Sequence, residues 1–178
     1  MATADDGKEL QHPVTVDDHT QGPDDAPVTV VMYGDYTCPD TRAAHGTISR
    51  LRERFQDDVR VVFRHFPRRD HDTQSDAHHA AFAAEAAADQ GHFWEMHDRL
   101  MGYPGALDDA AVAGIASDFE LSDARYETGH RYATKVHDDI DRARRAGINS
   151  TPTLYINGRR HDGSIDEPTL QAAIEAAR

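Results

Sequence analysis

Short runs of β-branched and aromatic residues predict the strands of this chain. Three such runs read as buried strands: residues 27–33 (PVTVVMY), 59–66 (VRVVFRHF) and 153–156 (TLYI). The last run is followed by Asn157-Gly158, a strong signal for a tight hairpin turn, so we expect a fourth strand near residues 160–163. Val14–Val16 is a further candidate for a short strand.

Between these runs the apolar residues recur at helical spacing. Helices are predicted over residues 39–56, 77–88, 92–101, 108–119, 122–147 and 166–177. In the first of these, Ala44, Ile48 and Leu51 share one face. Pro39 suits the first helical position, because an N–H there would have no partner inside the helix. Residues 68–76 read as a charged loop.

The order of these elements predicts an α/β protein. A β-α-β unit is followed by a mostly helical stretch and then by β-β-α, which is the layout of a thioredoxin fold, a mixed β-sheet flanked by helices, with an inserted all-α helical domain. We assign residues 27–72 and 148–178 to the thioredoxin-like domain and residues 73–147 to the insert. Residues 1–26 are polar, and we expect them to form an extended N-terminal lead-in that is ordered only in part.

The chain is strongly acidic. Its 178 residues include 32 Asp and Glu against 19 Lys and Arg, for a net charge of −13. Nucleic acids and anionic membranes are bound by clustered basic residues, so we expect neither as a partner. The 24 Asp far outnumber the 2 Lys, a bias that predicts a halophilic protein. At 1 M salt, screening would confine its self-repulsion to about 3 Å.

The sequence lacks the signals of several targeting and cofactor-binding classes. It has no run of about 18 apolar residues that could span a membrane. Residues Met1–Leu10 (MATADDGKEL) carry acids instead of the apolar centre of a secretory signal, so we predict a cytoplasmic protein. Phosphate-binding loops, a G-x-S-x-G motif and dinucleotide-binding glycines are absent from the sequence, and we expect no cofactor.

Cys38 is the one cysteine of the chain, which excludes an intramolecular disulfide and a cysteine-based zinc cluster. It lies where a predicted strand gives way to a helix, and a helix N-terminus favours the nucleophilic thiolate. The hydroxyl of Thr41, one turn later, can donate a hydrogen bond to the sulfur, whereas the carboxylate of Asp40 opposes a second negative charge. We expect an accessible thiol with a moderately lowered pKa. The alternative is a small buried hydrophobe.

Together with a second motif, this site resembles the DsbA-like members of the thioredoxin superfamily. The second motif is Thr151-Pro152, where a proline opens a predicted strand. The resemblance covers residues 14–178, and supporting segments follow in order: 26–30 (APVTV), 61–67 (VVFRHFP), 83–87 (AAEAA), 91–97 (GHFWEMH) and 151–158 (TPTLYING). It implies a thioredoxin fold with a helical insert and a cis Pro152 packed beside Cys38. It also implies that the Thr151 backbone is offered to a bound peptide or thiol.

The chain departs from this family at one central position. The family's active site is Cys-x-x-Cys, but Thr41 occupies the second position, so the chain cannot resolve a mixed disulfide with a thiol of its own. We therefore expect a monothiol thiol–disulfide oxidoreductase. Its Cys38 attacks the disulfide of a protein or a low-molecular-weight thiol, Thr41 stabilises the thiolate, and an outside thiol completes the cycle. The residues expected to contact the substrate are Tyr36, Pro39, Asp40, Thr151 and Pro152. For Tyr36 the alternative is a role in packing.

Two other functions fit the same residues. The fold could serve as a redox-inactive peptide-binding or chaperone-like module that holds an extended peptide beside Pro152 by strand addition. Alternatively, Cys38 could link two chains in a redox-switched dimer. The reactivity of Cys38 distinguishes the binding module from the enzyme, because binding needs no thiolate. The sequence does not decide between a monomer and a dimer.

The twelve histidines do not have the spacing of a metal site. His78 and His79 are adjacent and His92 and His97 are five apart, so neither pair matches the H-E-x-x-H pattern that puts two imidazoles on one helical face. We interpret them as helix-surface and loop residues and predict no metal site within one chain. A site formed by Cys38 and a histidine across two chains stays open. Glu85, within the alanine-rich helix, is expected to be exposed; the alternative is a partly buried side chain with a raised pKa.

Overall fold

The computed structural model describes residues 8–67, 75–121 and 131–178. The strands are β1 (His19–Gln21), β2 (Val28–Gly34), β3 (Val59–His65), β4 (Thr153–Ile156) and β5 (Arg159–Arg160). The helices are α1 (Pro39–Phe55), α2 (Asp76–Ala88), α3 (Phe93–Met101), α4 (Asp109–Ser117), α5 (Arg131–Arg145) and α6 (Glu167–Ala177). None of these described helices combines the length and the apolar character that a bilayer-spanning helix requires.

The five strands form one mixed sheet in the order β1-β3-β2-β4-β5. β2 and β3 are parallel and are connected through α1, whereas the other neighbouring pairs are antiparallel. In β2 the consecutive residues Val30, Val31, Met32 and Tyr33 are all buried. Successive side chains of a strand point to opposite faces, so both faces of the sheet are covered. This confirms the predicted thioredoxin-like α/β fold.

The alanine-rich helix α2 forms the centre of the helical part. It contacts α3, α4 and α5, and 11 of its 13 residues, from Ala77 to Ala87, are buried. Alanine side chains are short, so neighbouring helices can approach this helix closely. Because α2 is surrounded on nearly all sides, it has almost no solvent-facing side that would need polar residues. α5 also contacts β3, so the helical part packs directly on the sheet.

The polar lead-in contributes a strand to the sheet, at a place that the sequence did not predict. Val14–Val16 is not a strand, and Val16 is 99% exposed. Instead β1 pairs antiparallel with β3, with His19 opposite Phe63. The turn before β1 is closed by Asp18, whose carboxylate accepts a hydrogen bond from the Thr15 N–H at 2.9 Å.

Other boundaries also differ from the predicted ones. The last hairpin is present, but its second strand is Arg159–Arg160 instead of residues 160–163. The predicted charged loop lies outside the described residues except for 75–76, and α2 begins at Asp76. The predicted helix over residues 122–147 is described only from Arg131, and the part before it lies outside the described residues.

A buried ion pair fastens the lead-in to the sheet. Arg64 in β3 is fully buried, and its guanidinium donates to both carboxylate oxygens of Asp18 at 2.8 Å. It also donates to the Tyr33 hydroxyl at 2.8 Å and to the carbonyls of His12 and Pro13. Burial alone would raise the pKa of Asp18, but the hydrogen bonds from Arg64 and the Thr15 backbone hold that pKa below its usual range.

Candidate active site

Cys38 lies at the point where the chain leaves β2 and enters α1. Its backbone is extended (φ −81°, ψ 119°), and it occupies the position before the first helical residue, Pro39. The Cys38 carbonyl accepts the first helical hydrogen bond from Arg42 at 3.1 Å. The thiol is therefore held at the N-terminus of a 17-residue helix, where free N–H groups and the helix dipole favour an anion.

Asp35 shapes the turn that presents the cysteine. Its buried carboxylate accepts hydrogen bonds from the backbone N–H and the hydroxyl of Thr37, both at 2.8 Å. Its carbonyl accepts from the Cys38 N–H at 3.0 Å. Asp35 was not among the site residues predicted from the sequence. An Asp two residues before a Thr in a glycine-containing turn is the local signal that could have identified it.

The structure brings the two sequence motifs together. The Thr151–Pro152 peptide bond is cis, as the resemblance implied. The thiol of Cys38 donates a long hydrogen bond to the Thr151 carbonyl, with 3.5 Å between Sγ and the oxygen. Thr151 is buried, and its own hydroxyl has no hydrogen-bond partner among the described residues. Pro152 is half-buried, so part of this edge stays open to a bound molecule.

Thr41 and the first turn of α1 lower the pKa of the Cys38 thiol. Burial acts in the opposite direction and raises that pKa. Hydrogen bonds from the Thr41 side chain and from the Thr41 and Asp40 backbone N–H groups lower the pKa, and the net shift is downward. The Thr41 hydroxyl is fully buried and also accepts from the Asp35 N–H at 3.4 Å. Cys38 itself is half-buried, and Pro39 and Asp40 are exposed.

Tyr36 does not line the groove, contrary to the prediction. It is 1% exposed, and its hydroxyl lies 2.9 Å from Nδ1 of His97 on α3. Burial, with the charges of Glu85 and Asp98, raises the pKa of Tyr36, while burial and nearby histidines hold the pKa of His97 well below its usual value. Tyr36 therefore donates the hydrogen bond to a neutral imidazole. It acts as a packing residue under the active-site turn.

Several histidines predicted to lie on the surface are buried. His78, His79 and His97 are 1%, 7% and 1% exposed, whereas His92 is exposed. Glu85 is also buried. The Nε2 atoms of His19 and His65 each lie 2.6 Å from its carboxylate. Burial alone would raise the pKa of Glu85, but the two histidines lower it well below its usual range.

Three groups of histidine and acidic side chains could hold a metal ion. In each group the ligand atoms lie within 4.8 Å of one another: His19, His65 and Glu85; His45, His97 and Asp98; and Asp76, His79 and Asp109. Sequence spacing could not have revealed them, because most of their members are far apart in the chain. None of the three includes Cys38.

The chain is similar to known proteins in both sequence and fold. The family model described as Thioredoxin matches residues 14–176. The Na(+)/H(+) antiporter NhaA 1 of Salinispora arenicola is 42% identical over 173 residues, which cover 95% of this chain and 26% of that protein. The chain spans about a quarter of the length of the curated relatives it matches.

Solved structures extend the similarity to the whole fold. A thioredoxin-like oxidoreductase from Silicibacter pomeroyi DSS-3 is 28% identical, with a TM-score of 0.77 and coverage of 99% of this chain and 98% of that one. DsbA2 of Pseudomonas aeruginosa is 27% identical, with a TM-score of 0.65 and coverage of 93% and 97%. The chain therefore belongs to the thioredoxin family, as a DsbA-like member that contains a single cysteine.

Proposed function

We propose that the protein is a thiol–disulfide oxidoreductase that works through one thiol, that of Cys38. The observation that carries the proposal is the position of this half-buried thiol, which sits at the N-terminus of α1 and 3.5 Å from the Thr151 carbonyl, next to cis Pro152. Its pKa is lowered, so more of it is thiolate at neutral pH than in a free cysteine. The similarity of the chain to the thioredoxin-like oxidoreductase from Silicibacter pomeroyi DSS-3 also supports an oxidoreductase function.

The reaction consists of two exchange steps at Cys38. First, its thiolate attacks one sulfur of a substrate disulfide, a mixed disulfide forms, and the other sulfur leaves as a thiolate with the bonding electron pair. Second, an external thiolate attacks the substrate sulfur of the mixed disulfide, and Cys38 leaves as a thiolate. The substrate sulfur is then bonded to the external thiol. A second external thiol reduces that product outside the protein.

Thr41 is the reason that the second step needs an external thiol. It is fully buried and its hydroxyl hydrogen-bonds to the thiolate, but oxygen cannot displace sulfur from a disulfide. Since Cys38 is the one cysteine of the chain, the resolving thiol belongs to another molecule, either a protein or a low-molecular-weight thiol. Reduction is the direction expected in the cytoplasm, and a cytoplasmic location stays our prediction.

The substrate groove runs between the first turn of α1 and the cis-proline loop. Pro39 and Asp40 are exposed on one side, and the partly exposed Pro152 lies on the other. The unpartnered hydroxyl of Thr151 supplies a hydrogen-bonding group for a substrate main chain. An extended peptide or a small thiol held there would bring its sulfur close to Cys38.

Trapping of the mixed disulfide tests this proposal. The reduced protein is incubated with glutathione disulfide, and the intact mass is followed by mass spectrometry. We expect one glutathione adduct per chain on Cys38 in the wild type and none in Cys38→Ser, and free glutathione should remove the adduct. If the folded protein forms no adduct while the denatured protein does, the monothiol enzyme is excluded and the peptide-binding module becomes the better account.

A further inference from the structure

A carboxylate and two imidazoles from three separate elements meet where α2 packs on the sheet. His19 belongs to β1, His65 is the last residue of β3, and Glu85 lies on α2. Both Nε2 atoms lie 2.6 Å from the same oxygen, Oε1 of Glu85. The three side chains are 17%, 1% and 8% exposed, so the cluster is almost closed to solvent and is reached from the His19 side.

Aromatic rings fix the orientation of the two imidazoles. The ring of His19 stacks on Phe93 with 3.5 Å between centroids and an interplanar angle of 8°. The ring of His65 meets Phe63 edge-on at 5.3 Å and packs against Tyr36 at 6.0 Å. Nδ1 of His65 is buried and has no hydrogen-bond partner among the described residues. The only described polar contact of this ring is therefore the one through Nε2 into the cluster.

The cluster combines one buried carboxylate with two imidazole nitrogens. Glu85 is a buried carboxylate, and no Lys or Arg pairs with it in the described part of the chain. Its two neighbours are imidazoles, whose Nε2 atoms lie at hydrogen-bonding distance from the carboxylate and, without a proton, offer lone pairs to a metal ion. Buried charges in proteins are paired or bind metal ions. Two nitrogen donors and one carboxylate oxygen form a three-ligand set that suits a divalent transition metal.

We propose that His19, His65 and Glu85 form a binding site for a divalent transition-metal ion of the Zn²⁺ class, with a water as the fourth ligand on the His19 side. Zn–N and Zn–O bonds of about 2.0–2.2 Å place neighbouring ligand atoms roughly 3.3 Å apart in a tetrahedral site. The present N···O separations of 2.6 Å would widen by about 0.7 Å to admit the ion. Ca²⁺ and Mg²⁺ prefer all-oxygen sites and are expected to bind poorly.

Such an ion would connect parts of the fold that are distant in the chain. His19 and Glu85 are 66 residues apart, and His65 and Glu85 are 20 apart. The metal would hold β1 and α2 on the end of β3, and its binding would stabilise the folded state alone, since the unfolded chain does not bring these ligands together. We therefore expect the melting temperature to rise with added Zn²⁺.

The test is a metal titration of the full chain with Cys38→Ser as the background, so that the thiolate cannot act as a ligand. Metal-free protein is titrated with Zn²⁺ by calorimetry and with Co²⁺ by visible absorption. We expect one ion per chain, with no sulfur-to-metal charge-transfer band. His19→Gln and Glu85→Gln should each weaken Zn²⁺ binding at least about 100-fold, more than the 10- to 100-fold typical of losing a group that only supports a ligand.

Two matched variants remove a histidine from the other clusters. His45→Gln and His79→Gln should bind Zn²⁺ within about twofold of the parent, a change well below the 10-fold that marks even an indirect effect on a ligand. Far-UV circular dichroism establishes that each variant is folded. His19 is more exposed than Glu85, so His19→Gln is expected to disturb the fold less than Glu85→Gln. Absence of stoichiometric binding by the parent overturns the proposal. Three other results would also overturn it: unchanged Zn²⁺ binding in His19→Gln, equal losses of Zn²⁺ binding in the two control variants, or displacement of Zn²⁺ by an equal concentration of Ca²⁺.

Discussion

At the scale of single residues, the chemistry rests on what surrounds Cys38. The sulfur accepts hydrogen bonds from Thr41 and from the first backbone N–H groups of α1, and the pKa of the thiol is lowered despite its burial. The same surroundings would suit a dithiol site, because Thr41 lies where a second thiol would have to be. The proposed single-thiol cycle therefore depends on one side chain and does not require a change in the fold.

Thr41→Cys tests whether that side chain alone sets the number of thiols in the cycle. The introduced thiol would lie beside Cys38 on the first turn of α1, so it should attack the mixed disulfide from within the protein. We expect the glutathione adduct to give way to an intramolecular disulfide, detected as the loss of two hydrogen masses. Thr47→Cys, a buried position further along the same helix, is the control and should leave the adduct in place. An adduct that persists in Thr41→Cys would contradict this geometry.

His97 should make the protein less stable in mild acid. Its pKa in the folded state lies well below 6.5, mainly because of burial, so the unfolded state binds one more proton once the pH falls below about 6.5. The free energy of unfolding should therefore decrease by up to about 1.4 kcal/mol for each pH unit below that point. His97→Gln removes the titration and can still accept a hydrogen bond from Tyr36.

Urea unfolding at pH 7.5, 6.0 and 5.0 measures this effect. The variant should show a flatter dependence on pH than the wild type, while His92→Gln, which alters an exposed histidine, should not. Parallel curves for His97→Gln and the wild type would show that His97 is protonated in the folded protein.

At the scale of elements, local patterns predicted most of the fold and failed where a partner is distant. β2, β3, β4 and α1 have apolar periodicities that are visible within a few residues. β1 consists of His19, Thr20 and Gln21, which are polar, and it is a strand because β3 provides the hydrogen-bonding edge. The burial of Glu85 could not be predicted for the same reason, since its partners are contributed by β1 and β3.

The site was predicted to a similar extent. Cys38, Thr41 and Thr151-Pro152 each lie in a motif with a local signal, a strand-to-helix junction or a proline before a strand. Tyr36 was misplaced because it precedes the cysteine by only two residues, and sequence proximity does not reveal that its ring turns inward to His97.

Asp18→Asn tests the attachment of the lead-in to the sheet. The substitution removes the negative charge that pairs with the fully buried guanidinium of Arg64. Loss of one member of a buried ion pair leaves the other uncompensated, so the free energy of unfolding should fall by about 3–5 kcal/mol. Urea denaturation measures the change, and the exposed neighbour in Asp17→Asn is the control. A loss below about 1 kcal/mol, as found for exposed pairs, would contradict the role of this ion pair.

At the scale of the whole molecule, the dominant property is a net charge of −13. Exposed carboxylates repel one another over a Debye length of about 10 Å at 0.1 M salt, but over only about 3 Å at 1 M. We therefore expect the melting temperature to rise between 0.1 and 1 M NaCl, as predicted for a halophilic protein. NaCl is the appropriate salt, because sulfate strengthens apolar burial in any protein. A melting temperature that stays constant or falls would contradict the prediction.

The reactivity of Cys38 depends on the hydrogen bonds to its sulfur, on its position at the N-terminus of α1 and on the access of solvent to the thiol in the folded protein. The most direct test is the rate of alkylation of the native protein by iodoacetamide between pH 5 and 10, in high salt. We predict complete labelling of Cys38, with a midpoint below the value of about 8.5 for a free cysteine. A midpoint at or above 8.5, or labelling only after denaturation, would contradict an activated thiol and with it the proposed enzyme.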